Sequence, residues 1–84
     1  MANEQSKLTQ KQLIETAANE IYREYLRALG IHEPIKTRHE GYAVILEELD
    51  ELWEAIRNNE DIDKVRLEAA QVGAMALRFI VDIC

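Results

Sequence analysis

The chain is 84 residues long, 48% apolar, and carries a formal net charge of -6 at pH 7. That length allows one small domain, which by itself buries only about 60–65% of its unfolded surface. The acidic balance argues against an electrostatic footprint for nucleic acid or an anionic membrane.

Three Gly and one Pro leave too little turn material for a multi-stranded β fold, and the many Leu, Ile, Val and Ala residues point to an all-α protein. Cys84, the only cysteine, excludes an intrachain disulfide, so a reducing cytoplasm is the expected compartment. The N-terminal stretch MANEQSKLTQKQ is polar and lacks the apolar core of a secretory signal. The uncharged run Ala69 to Leu77 is far short of a membrane span.

In chain order, the first predicted helix covers residues 9–29. Thr9 and Gln12 fit a capping box. Leu13, Ala17, Ile21, Tyr25 and Leu29 recur at helical spacing, widened by Ile14, Ala18, Tyr22 and Leu26. Gly30 is a natural residue just past the C-terminus. A loop from Ile31 to Lys36 holds the only proline. Thr37 and Glu40 then form a second T-x-x-E box, opening a helix over residues 38–57 that Asn58 and Asn59 end. Asp61 caps a third helix over residues 62–83. The three helices make one domain spanning residues 1–84.

At about 100° per residue, the apolar residues of the third helix surround nearly its whole circumference. Val65, Val72, Ala76, Phe79, Ile80 and Ile83 cover one side; Leu67, Ala70, Ala74, Leu77 and Val81 cover the other. A helix apolar all round is a buried helix. Two other helices of one short chain do not wrap it, so the expected architecture is an antiparallel helical bundle completed by homo-oligomerisation. Gly73, Ala74 and Ala76 permit close helix approach.

The second helix carries five carboxylates in the eight residues Glu47 to Glu54 and no cation. Like charges at i,i+3 and i,i+4 each cost a few tenths of a kcal/mol in a helix, about 0.2–0.5. Projection gives a core face of Ile45, Leu46, Leu49, Leu52, Trp53 and Ile56, and a solvated face of Glu47, Asp50 and Glu54. Glu48 and Glu51 share a flank with the small or apolar Gly41, Val44 and Ala55. Two carboxylates one turn apart on such a flank suit a hard divalent cation such as Mg²⁺. On the third helix Lys64, Glu68, Gln71, Met75, Arg78 and Asp82 form one narrow polar strip. If that strip faces Glu48 and Glu51, three carboxylates and an amide converge between facing helices. The same spacing equally fits Lys64–Glu68 and Arg78–Asp82 as ordinary ion pairs on a wet surface.

Lys36, Arg38 and His39 lie at a helix N-terminus, where backbone N–H groups favour anions. They read either as a phosphate site or as a solubilising basic loop. His32 and His39 are isolated and lack metal-ligand partners. The sequence contains no Gly-rich phosphate loop, nucleophile elbow or zinc motif.

The segment His39 to Asp82 resembles the MazG-like all-α nucleoside triphosphate pyrophosphohydrolase superfamily, whose pattern is EExxE followed by ExxD. Glu47-Glu48-Leu49-Asp50-Glu51 matches the first half, and HEGYAVILEELDELWEAI resembles the helix that carries it. Glu68-Ala69-Ala70-Gln71 matches the second half at its glutamate. The resemblance implies Mg²⁺-dependent hydrolysis of an NTP or dNTP to monophosphate and pyrophosphate, with Mn²⁺ a substitute, in a homodimer or homotetramer. By position it implies Glu48, Glu51 and Glu68 as metal ligands, joined by the amide of Gln71. Glu47 would act on the attacking water or add a ligand. Lys36, Arg38 and Arg78 are candidates to hold phosphates, though the motif does not assign them. The sequence departs from the family at Gln71, where an aspartate is usual and a negative charge is lost. It also ends at Cys84, where many members continue into another helix with Lys and Asn residues for the nucleotide. The alternative expectation is a non-catalytic helical oligomer acting as a binding or regulatory module.

Overall fold

The structure, a computed structural model, describes residues 8–84; the first seven residues of the polar N-terminal stretch lie outside it. It is all-helical: α1 spans Gln10–Leu29, α2 Arg38–Arg57 and α3 Ile62–Ile83. Among the described residues no helix is long and apolar enough to cross a membrane.

The helix boundaries follow the capping residues. The Thr9 amide donates to Gln12 Oε1 at 2.9 Å and the Gln12 amide donates to Thr9 Oγ1 at 3.1 Å, completing the reciprocal box. The Glu40 amide donates to Thr37 Oγ1 at 3.0 Å and the Lys64 amide to Asp61 Oδ1 at 3.0 Å. Between α2 and α3, Asn59 takes a left-handed φ of 54°, a conformation that asparagine tolerates better than most residues. Gly30 does not use the left-handed freedom expected of it. At φ -79° it stays right-handed, and the amides of Ile31 and His32 both donate to the Ala28 carbonyl, tightening the end of α1.

α3 is the central element. α1 runs parallel to it, pairing Glu20 with Arg66, Ile21 with Gly73 and Glu24 with Gln71. α2 packs antiparallel on another side of α3, placing Gly41 against Phe79 near one end and Glu48 and Glu51 beside Glu68 farther along. Ala28, Ala74 and Met75 form the centre, with Tyr25, Val44 and Ile45 packed around them. The α1–α2 loop is fastened to α3 twice: the Ile35 amide donates to Asp82 Oδ2 at 2.9 Å, and Arg78 Nη2 donates to the Glu33 carbonyl at 2.8 Å. Ile35 is 3% exposed as a result.

The face of α2 that packs on α3 is not the one its large apolar residues indicate. Gly41 and Ala55 are buried, whereas Leu46, Leu49, Trp53 and Ile56 are exposed, Trp53 by 58%. The expected core face is therefore divided in the single chain: Ile45 and Leu52 are half-buried, Ile45 against the central cluster, and the other four residues are open. Small side chains let α2 and α3 approach closely, and the bulkier stripe is left pointing away. α1 behaves alike: Ala28 is buried, while Ile14, Tyr22, Leu26 and Leu29 are exposed. On α3, Leu67, Ile80 and Val81 are exposed too.

The close approach at Gly41 is testable. A Cβ there would stand 2.7 Å from Phe79 Cε2 and 3.3 Å from Ile35 Cγ2. Gly41→Ala would gain about 1 kcal/mol of helix propensity but is expected to lose about 1–3 kcal/mol to overpacking. Urea denaturation should therefore show net destabilisation, partly relieved by adding Phe79→Leu. A more stable Gly41→Ala would show that the helices are not in this contact.

Candidate metal centre and adjoining cavities

Glu48 and Glu51 lie one turn apart on the flank of α2 that meets α3, and the antiparallel pairing sets Glu68 opposite them. One carboxylate oxygen from each of the three lies within 4.8 Å of the others. The polar strip of α3 is thus an interhelical strip, not a wet surface: Glu68, Met75 and Arg78 are all buried. Lys64 does pair with Glu68, Nζ to Oε1 at 3.1 Å. The expected Arg78–Asp82 pair does not form, because Arg78 and Asp82 each hold the preceding loop instead.

Two carboxylate oxygens here, Glu48 Oε2 and Glu68 Oε2, are buried without a hydrogen-bond partner. Glu68 is only 7% exposed. A buried acceptor left unsatisfied is costly, more so when it bears charge. The Glu48 carboxyl is pushed up to about 7, first by burial and then by the neighbouring Glu51 carboxyl, with the charges of Glu68 and Glu47 adding to the same shift. Lys64, half exposed, supplies a monovalent counter-charge to the outer oxygen of Glu68, and Glu68 in turn raises its pKa. Three convergent oxygen donors with buried lone pairs unspent are the donor set that a hard divalent cation takes.

Gln71 follows Glu68 by one turn. It lines a cavity of about 200 Å³ together with Glu48, Glu51 and Glu24. Its Nε2 donates to Glu24 Oε1 at 3.2 Å. A larger cavity of about 390 Å³ opens beside Glu48, lined also by Lys36, Glu40, Glu47 and Arg78. Glu47, expected on a solvated face, is exposed as expected but also borders this cavity. Arg78 is 3% exposed; besides its bond to Glu33, Nη1 lies 3.4 Å from Met75 Sδ, and Nε has no partner. Arg38 is exposed in the first turn of α2 and does not border this cavity. The structure thus brings Lys36 and Arg78 to the side of the carboxylates and leaves Arg38 apart.

Sequence reasoning missed Glu24. The signal was present in α1: Ala17, Ile21, Glu24 and Ala28 are spaced by four, three and four, a single helical face. No protein-family model, curated protein or solved structure matches the chain.

The raised pKa of Glu48 has a definite sign. From the ordinary value of 4.5 to about 7 the folded chain holds a proton that the unfolded chain has released. The associated stability is present in acid and is lost as pH rises through that window. With chelator present, the melting temperature of the wild type should fall between about pH 4.5 and pH 7, and that of Glu48→Gln should fall less. Asp50→Asn, on the exposed face, should keep the wild-type slope. Parallel slopes for wild type and Glu48→Gln would remove Glu48 from the titration.

Proposed function

We propose that this chain is a MazG-like nucleoside triphosphate pyrophosphohydrolase that works with Mg²⁺ or Mn²⁺ as a homodimer or homotetramer. The observation that carries this reading is the convergence of Glu48, Glu51 and Glu68 from two helices, with buried carboxylate oxygens left unpaired, beside a cavity that holds a buried arginine. The same residues are those the EExxE and Glu68 half-motifs single out.

In this reading Glu48, Glu51 and Glu68 would hold the cation, which would supply neutralisation of phosphate charge and acidification of water. The larger cavity receives the triphosphate. Arg78, in place between loop and helix, and Lys36 at the rim donate hydrogen bonds to phosphate oxygens. The carboxylate of Glu47 borders the same cavity and accepts a proton from the attacking water. Water adds to the α-phosphorus, the bond to the bridging oxygen of the β-phosphate breaks, and pyrophosphate leaves with the electron pair.

Self-association belongs to the same proposal. Large apolar side chains are exposed on every helix, and the apolar side chains buried within one chain are mostly alanines. A second copy laid on the Trp53 face of α2, or on the Ile80 and Val81 side of α3, would remove that surface from water. The second reading, a non-catalytic helical oligomer, is favoured by one observation: the second half-motif matches at Glu68 alone, with the uncharged Gln71 in the place of an aspartate.

Pyrophosphate release, measured with Mg²⁺ across canonical and modified nucleotides, separates the two readings. Glu47→Gln and Glu68→Gln should each reduce it by about 100-fold or more. A folded wild type with no metal-dependent release would leave the non-catalytic module as the better account.

Light scattering at low micromolar concentration should show an oligomer. Trp53→Glu or Val81→Glu should dissociate it by placing a charge in the apolar contact. Ala74→Glu should instead unfold the chain, since Ala74 has no exposed surface. A folded wild-type monomer under these conditions would overturn the oligomer.

A further inference from the structure

We infer that Glu24, on α1, is a fourth carboxylate of the cation site, facing the hydration shell of the ion and supplying from α1 the charge that position 71 lacks. The inference rests on the metal-binding reading above and extends it to a helix outside both half-motifs.

Glu24 and Gln71 share the cavity of about 200 Å³ with Glu48 and Glu51. That volume accommodates several waters at about 30 Å³ each. The Glu24 side chain is 18% exposed, and its Oε1 accepts from Gln71 Nε2 at 3.2 Å. A carboxylate only accepts, so the end of the Gln71 amide turned to Glu24 is necessarily the NH₂ group. Glu24 therefore fixes which end of that amide is spent, and the oxygen, its only metal-binding atom, is kept from it. Arg27 Nε also lies 3.5 Å from Glu24 Oε1, but Arg27 is 64% exposed, and solvent-screened pairs of this kind contribute little.

An independent feature points to a ligand here. Glu48, which lines this cavity, has its Oε2 buried without a partner. Glu68, more than nine-tenths buried and paired with Lys64 through Oε1, likewise leaves Oε2 unpaired in the carboxylate group alongside. Mg²⁺ retains several waters when only a few carboxylates bind it directly. Groups that hydrogen-bond those waters, or orient a direct ligand, alter metal affinity by about 10–100-fold. Glu24 lies outside the group of three close carboxylates but shares their cavity and holds Gln71, the two contacts that such a role uses.

The test is Mn²⁺ titration of the metal-stripped full chain, read as free Mn²⁺ by electron paramagnetic resonance, with circular dichroism confirming the fold. The wild type should bind. Glu24→Gln keeps the size and the hydrogen bonding but not the charge, and should bind about 10-fold more weakly. Glu24→Asp should bind more tightly than Glu24→Gln. Glu15→Gln, nine residues and about 13 Å earlier on α1, should match the wild type. Glu24→Gln combined with Gln71→Asp returns the charge to the cavity from α3 and should recover most of the affinity. Wild-type affinity in Glu24→Gln, or equal weakness in Glu24→Asp and Glu24→Gln, would overturn the role of Glu24 and leave the metal reading standing. A folded wild type that binds no Mn²⁺ would overturn both.

Discussion

The contact that organises this chain is the close antiparallel packing of α2 on α3 through small residues. Gly41 against Phe79 at one end and buried Ala55 toward the other bring the two axes near. That nearness confines Glu48, Glu51 and Glu68 to one small volume. At an effective dielectric of about 20, two charges about 5 Å apart repel by roughly 3 kcal/mol, less where solvent reaches them. A domain of this size has only about 5–15 kcal/mol in hand. The chain meets this cost by pushing a proton onto Glu48 and by setting Lys64 against Glu68. Both are reversible.

The same packing determines where the site opens. α3 gives Arg78 and Asp82 to the α1–α2 loop rather than to each other, so the loop is drawn against the helix and Ile35 is buried. The larger cavity lies between that fastened loop and the carboxylates. A guanidinium held by a backbone carbonyl keeps its position without surrendering charge to a counter-ion. It remains an electrostatic complement to an anion arriving beside Glu47 and Glu48. Acidic and basic groups thus occupy adjoining parts of one opening.

The helix boundaries were legible because Thr9, Thr37 and Asp61 are capping residues whose hydrogen bonds are local. The carboxylate group was legible from spacing: Glu48 and Glu51 share a flank, and Glu68 tops a polar strip. The inward face of α2 was not legible. Hydrophobicity marks Leu46, Leu49 and Trp53 as core, yet close approach selects Gly41 and Ala55, and periodicity does not distinguish a contact made within the chain from one made beyond it. Arg78 and Asp82 were misread for a related reason. Their i,i+4 spacing satisfies an ion pair, while their actual partners are backbone groups of a loop more than forty residues earlier. Glu24 was hidden by its setting, a charged residue in an apolar stripe that reads as a surface interruption until α3 is placed against it.

With Glu24 in the cation site, α1 becomes more than a cover for α3. Its seat is set by Ile21 over Gly73, where an added Cβ would lie 2.9 Å from Ile21 Cδ1, and by Arg66 reaching Glu20 at 2.7 Å. Glu24 follows Ile21 by one turn, so the position of its carboxylate is fixed by an apolar contact rather than by a flexible loop. A charge carried on α3 itself would move rigidly with Glu68. A charge carried on α1 depends on the α1–α3 contact. On the proposed role of Glu24, a bound cation would stabilise the docking of both outer helices on the central one, and loosening α1 would lower cation affinity without touching a direct ligand.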